Sequence, residues 1–338
     1  MQANLENKNY INKNKKIRNK KQNLNIPIVI LSALILISGA LFLTLEINSG
    51  SMEYALSKRI PKLIAIVITG GCIGFSTIIF QTVTDNRILT PSVMGIDSLY
   101  VAIQTVIIFV FGSSSMFASN KKINFLLCVV FMVMGSLALY KLIFKRENSN
   151  IMFVLLVGMI TGTFFKSLSS FMQMVIDPNE YLVLQSKLFA SFNNVNVDIL
   201  LLSLVVILLI VPFVVDDIKY FDVMSLGKDQ AINLGVDYDK LMRKSLIVIS
   251  VLIAISTALV GPVTFLGLLV ANVTREMMKT YKHSYLIIVS MLVSIFALVF
   301  GQLMIERVLH LTTPVSVIID MIGGIYFMYL LYKESRIW

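Results

Sequence analysis

Two charged side chains stand where an apolar run leaves little room for them. Lys166 lies well inside the run 151–175, and Asp320 lies about two turns into the run 314–333. An unpaired charge in hydrocarbon costs at least about 2.5–3.5 kcal/mol on insertion scales. Both side chains are therefore expected to face protein or water. A lysine in a water-filled pathway offers positive charge to an anionic solute; the alternatives are a structural ion pair, with Asp320 as partner, or snorkelling to a headgroup. Other reactive groups are sparse. Cys72 and Cys128 are isolated thiols in apolar runs and read as small packing residues. His283 and His310 have no ligand-like spacing around them, and the 18 methionines are scattered as adaptable packing residues. No metal site and no catalytic residue is expected. The chain has no G-x-x-x-x-G-K-[ST] phosphate loop, no H-E-x-x-H, no C-x-x-C and no G-x-S-x-G. Any energy source must then be a partner or an ion gradient.

The elements that position these residues are apolar segments. Of the 338 residues 57% are hydrophobic and 14% charged, and the mean hydropathy is +0.83. A soluble chain of this size could not hide so much apolar surface, whereas a chain whose outer surface faces lipid need not. Ten segments are read at about 26–46, 61–82, 92–112, 122–143, 151–175, 196–215, 245–262, 264–279, 284–306 and 314–333. Backbone in lipid must satisfy its own hydrogen bonds, so each is expected to be a helix. The third and eighth are short and edged by polar residues, which predicts broken or partly re-entrant helices. Gly70-Gly71-Cys72-Ile73-Gly74 predicts a close helix crossing. The fold class is an all-α integral membrane protein of about ten transmembrane helices, with one membrane domain over 26–338.

The net charge of +10 is unevenly spread. Residues 1–25 carry Lys8, Lys13, Lys15, Lys16, Arg18, Lys20 and Lys21 against Glu6. Such a tail reads as a cytoplasmic topology signal, with no nucleic-acid partner implied. Ten crossings then put both termini inside. Arg87, Lys141, Lys145, Arg146, Lys282, Lys333 and Arg336 fall on inner connections, but Lys58, Arg59, Lys62, Lys121, Lys122, Lys187 and Arg307 fall outside, so the positive-inside rule is only moderately satisfied and the outer positives need their own explanation. The longest polar interruption, 216–244, holds six acids and five bases. Within it Lys228 to Leu234 looks helical, Gly235 is a plausible stop, and a second short turn spans Asp237 to Arg243. An inner loop built of short helices suits docking better than linking.

Four stretches in chain order resemble the permease family of ABC importers for ferric siderophores, haem and vitamin B12. They are Arg59-Ile60-Pro61-Lys62; Gln81 to Asn86 followed by Pro91, Gly95 and Ser98; Met224-Ser225-Leu226-Gly227 with Ala231 and Leu234-Gly235-Val236; and Gly261 to Leu268 with Arg275. A distal partner is Pro314-Val315 with Ile322-Gly323-Gly324 and Phe327 to Leu331. The sequence departs from the family at Asn86-Arg87-Ile88-Leu89, at Ala271-Asn272 and at Asp320, and these departures resemble the ferric-siderophore branch.

The resemblance implies a type II importer permease fold in the cell membrane. It implies a second permease subunit, two cytoplasmic ATP-binding subunits that carry the ATP and Mg, and an external substrate-binding lipoprotein. The cargo implied is a ferric siderophore, with haem or cobalamin as the alternative; an ion-coupled secondary transporter is the competing mechanism. Ser225, Leu226, Gly227, Ala231, Leu234 and Gly235 would couple to the ATPase. Arg59, Lys62 and Arg307 would face the binding protein, and Lys166 and Asp320 would lie on the pathway. No cofactor is expected on this chain.

Overall fold

A computed structural model describes residues 24–45, 52–144, 151–193, 195–311 and 313–335. Almost all of the basic tail, together with Lys145, Arg146 and Arg336, lies outside the described residues. Those residues are almost wholly helical, and all ten apolar segments fold as helices. They are α1 (Asn25–Thr44), α2 (Met52–Val83), α3 (Asp97–Phe111), α5 (Lys121–Phe144), α6 (Ile151–Val175), α8 (Val197–Ile210), α12 (Tyr238–Val260), α13 (Leu266–Met278), α14 (His283–Leu303) and α15 (Val315–Ser335). Short helices α4 (Met116–Ser119), α7 (Pro178–Leu188), α9 (Pro212–Val215), α10 (Ile218–Met224) and α11 (Lys228–Asn233) lie between them. Among the described residues seven helices are long and apolar enough to cross a membrane.

Of the two segments expected to be broken or partly re-entrant, the third is broken and the eighth is a short unbroken helix. The third opens with a π-helical turn, Ser92–Ile96, where Gly95 sits at φ +86° and ends one helical path before α3 begins. The eighth is a helix of 13 residues, about 20 Å long, against a hydrocarbon core of about 30 Å. Gly261 to Thr264, ahead of it, is not helical.

Other boundaries differ from the sequence reading. Helix α2 starts at Met52, well before the expected 61, and carries Pro61 inside it. The turn expected at Asp237 to Arg243 is the first part of α12, with Asp237 accepting the Lys240 N–H as N-cap. Helix α7 was not expected. Its cap was visible, since Asp177 accepts the Asn179 N–H and Pro178 stands at the first helical position.

Helix α2 is the hub, packed on α12, α13 and α14, while α14 also packs on α1 and α6 packs on α3. The glycines allow the α2–α14 crossing. A Cβ on Gly70 would lie 2.9 Å from the Ile295 backbone, and one on Gly74 would meet Ser290 and Met291 backbone. The Ser290 hydroxyl donates to the Gly74 carbonyl at 2.7 Å across the same contact. Both cysteines are free and buried. By contrast α1 and α8 leave apolar faces open, as with Leu36 at 73% and Leu208 at 64% exposure. Those faces suit lipid or a partner helix.

Candidate functional site

In the polar loop 216–244 two short helices, α10 and α11, precede the first turns of α12. Helix α10 buries Phe221 and Met224 against the bundle, and α11 buries Ala231. Gly227 (φ +100°) and Gly235 (φ +83°) make the two bends, in a region where any side chain is strained. The Val236 N–H closes back onto the Ala231 carbonyl at 3.0 Å, and the Ser225 hydroxyl donates to the Asp222 carbonyl at 2.8 Å. Among exposed polar residues such as Asp229, Gln230 and Asn233, this frame also projects large apolar side chains: Leu226 is 54% exposed, Ile232 48% and Leu234 63%. The six residues singled out in this loop thus divide by role. Leu226 and Leu234 project, Ala231 anchors, Gly227 and Gly235 turn, and Ser225 fastens the first turn.

Behind the loop, polar side chains that flank three connections, 83–91, 216–244 and 280–283, meet. Asp222 Oδ1 accepts from His283 N at 2.7 Å and from His283 Nδ1 at 2.8 Å. His283 Nε2 lies 2.8 Å from the Thr82 hydroxyl at the end of α2. The neighbouring Gln81 accepts from Arg275 Nη2 at 3.3 Å and donates to the Arg87 carbonyl at 2.6 Å. Tyr238 donates to the Val83 carbonyl at 3.3 Å. Sequence reasoning flagged Gln81 and Arg275 but passed over His283 and Asp222. A histidine with no metal-like spacing gave no signal, and its partner stands 61 residues away.

Of the three cations expected on outer connections, Arg59 and Lys62 turn inward. Arg59 is 8% exposed, and its Nη1 donates to the carbonyls of Leu43 at 2.9 Å and Leu45 at 2.7 Å, at the C-terminal end of α1. Lys62, 7% exposed, donates to Asn193 Oδ1 and pairs with Glu306, which also accepts from Gln302 at 3.0 Å. Arg307 stands beside Glu306 at 3.4 Å on a π-helical turn, Met304–Val308. Arg59 and Lys62 therefore act inside the chain, and the Glu306–Arg307 turn is what lies nearer the rim. Glu306 carried no sequence signal, being 244 residues from Lys62.

Lys166 and Asp320 do not pair with each other among the described residues. Asp320 Oδ1 accepts the Phe265 N–H at 3.1 Å and so caps the start of the short helix α13. Asp97, at the start of α3, is buried beside the Thr264 and Ser92 hydroxyls and within electrostatic reach of Asp320. Lys166 is exposed on α6 one turn beyond Gly162, which with Gly158 presses against Met94 and Gly95, and an open face flanks that contact. Thr163, Lys166, Ser167 and Ser170 share that open face at helical spacing. A stripe of three hydroxyls and a lysine is poorly matched to lipid and well matched to a wet pathway. Among the described residues no group of three or more His, Cys, Asp and Glu side chains could hold a metal ion.

Comparison with known proteins bears on this arrangement. Residues 24–333 match the FecCD transport family. The chain is 55% identical over 313 residues to the petrobactin import system permease protein YclO of Bacillus subtilis strain 168, covering 93% of this chain and 99% of that one. It is 35% identical to the petrobactin import system permease protein FatC of Bacillus anthracis, covering 86% of this chain and 82% of that one. A solved inward-facing structure of a metal-chelate type ABC transporter superposes with a TM-score of 0.78 at 22% identity, covering 92% of this chain and all of that one, a likeness of fold.

Proposed function

The chain belongs to the FecCD transport family and is a multi-pass permease subunit of an ABC importer for siderophore iron, and on that premise we propose that its cargo is ferric petrobactin. The observation that carries the cargo is the match along nearly the whole length of a petrobactin permease. The test is uptake of radioactive iron in cells with and without this gene, offered as ferric petrobactin, a ferric hydroxamate, haem and labelled cobalamin. Loss of petrobactin uptake alone is expected. Unchanged petrobactin uptake with loss of another ligand would replace the cargo.

The rest of the machine is inferred from the loop, the rim and the open helix faces. The permease is not itself the ATPase, and two cytoplasmic ATP-binding subunits supply ATP and Mg. The loop 216–244 seats in them, with Leu226, Ile232 and Leu234 as the apolar contacts and Gly227 and Gly235 as the fixed bends. A rigid element transmits displacement that a loose linker would absorb. An external lipoprotein delivers the chelate to the rim that carries Glu306 and Arg307. In this reading Arg59 and Lys62 support that rim from beneath, and charge on the rim orients the docked partner. A second permease subunit, identical or related, covers the open face of α6. Lys166 then offers positive charge to an anionic chelate along the shared pathway, while Asp320 shapes that pathway by capping α13. Both termini lie on the cytoplasmic side of the cell membrane.

A further inference from the structure

Movement of a loop helps transport only if something stiff connects the loop to the bundle. Among the described residues two side-chain ties hold α10 and its N-cap Asp217 to other helices, besides the Tyr238 hydroxyl on the Val83 carbonyl farther along the loop. One is the ion pair of Asp217 with Lys244 at 2.6 Å, whose lysine is 39% exposed and so open to screening. The other is the contact of Asp222 with His283. A carboxylate only accepts, so the Nδ1 of His283 carries a proton and the single Oδ1 of Asp222 holds both a backbone and a ring donor, at 2.7 and 2.8 Å. Two bonds to one residue fix direction as well as distance. The ring is buried, with the Phe221 ring 6.2 Å away. Its far nitrogen meets the Thr82 hydroxyl on the last turn of α2, the helix on which α12, α13 and α14 pack.

We propose that Asp222, His283 and Thr82 form a strut that carries displacement of the loop 216–244 to the cytoplasmic end of α2, making His283 a positioning residue for energy coupling. The strut rests on the reading of that loop as the seat of the ATPase. It touches neither nucleotide nor cargo, so its loss should uncouple the two rather than weaken the binding of either.

The experiment uses the complete transporter in liposomes, with both permeases, the ATP-binding subunits and the binding protein. Ferric petrobactin imported per ATP hydrolysed is measured together with the ATP-binding subunits retained. Thr82→Val keeps the shape of the side chain and removes the hydroxyl, whereas Asp222→Ala removes the acceptor. Each is expected to lower cargo per ATP about tenfold, the ratio set by one buried hydrogen bond of ordinary net strength. ATP-binding subunits should be retained as in the unmodified transporter. The double variant should be no worse than either single one, because both break the same connection. Asp222→Asn keeps an oxygen for both donors and should restore most of the ratio. Unchanged cargo per ATP in Thr82→Val and Asp222→Ala would overturn the strut, as would additive losses in the double variant. Should Asp222→Ala fail to assemble, Thr82→Val decides alone. If the unmodified transporter hydrolyses ATP without importing chelate, the importer reading fails first and the strut falls with it.

Discussion

At the scale of single residues, charge was legible from the sequence but its partners were not. Arg59, Lys62 and Arg307 stood out as basic residues on outer connections, which suggested an outward role. The structure turns Arg59 onto the carbonyls that end α1 and Lys62 onto Glu306. Distance along the chain hides such pairings from any reading of spacing. Arg59→Ala should therefore cost about 2–3 kcal/mol of stability, the loss of charged hydrogen bonds to carbonyls left buried. A thermal melt of the purified permease checks this, and binding-protein affinity should change little. Lys166→Met should lower uptake of an anionic ferric chelate about tenfold without altering assembly, an electrostatic contribution of ordinary size. Unchanged uptake of every chelate tested would remove Lys166 from the pathway. Asp97 carries the opposite lesson. It faces Asp320 from a buried position, and no apolar pattern marked it because it opens a helix after a glycine break. Asp97→Asn relieves like charges and should leave the melting temperature equal or higher.

At the scale of elements, hydropathy located all ten apolar helices, because a lipid-facing helix must be apolar over its whole length. It was weaker at their ends. Helix α2 runs past Pro61, and α12 absorbs a stretch read as a separate turn, since polar helical residues at a membrane surface look like loop. Helix α7 was missed for the same reason, though its Asp-Pro cap announced it. The break in the third segment and the shortness of the eighth were legible because polar residues edge both runs. The two bends of the loop 216–244 rest on positive-φ glycines, so Gly227→Ala and Gly235→Ala should each store about 1–3 kcal/mol of strain. The measurable consequence is reduced recovery of ATP-binding subunits when the permease is purified. Gly227, at φ +100°, should be the more sensitive. Recovery equal to the unmodified protein would mean that the loop does not seat the partner.

At the scale of the whole molecule, two polar clusters are joined by one central helix, α2. Helix α2 carries Arg59 and Lys62 in its first half, tied to the end of α1 and to Glu306, and Gln81 and Thr82 in its last turn, tied to Arg275 and His283. The order of motifs along the chain made the family resemblance legible. The convergence of the inner connections on Thr82 and Gln81 was not, because it depends on how α10, α13 and α14 fold back against α2. The exposed apolar tips at Leu226, Ile232 and Leu234 suit the proposed seat on an ATP-binding subunit. The most direct test is iron uptake into liposomes holding this permease with its second permease, ATP-binding subunits and binding protein. Import of ferric petrobactin should require ATP inside the ATPase compartment and should be indifferent to proton or sodium gradients. Import driven by an ion gradient in the absence of ATP would contradict the account.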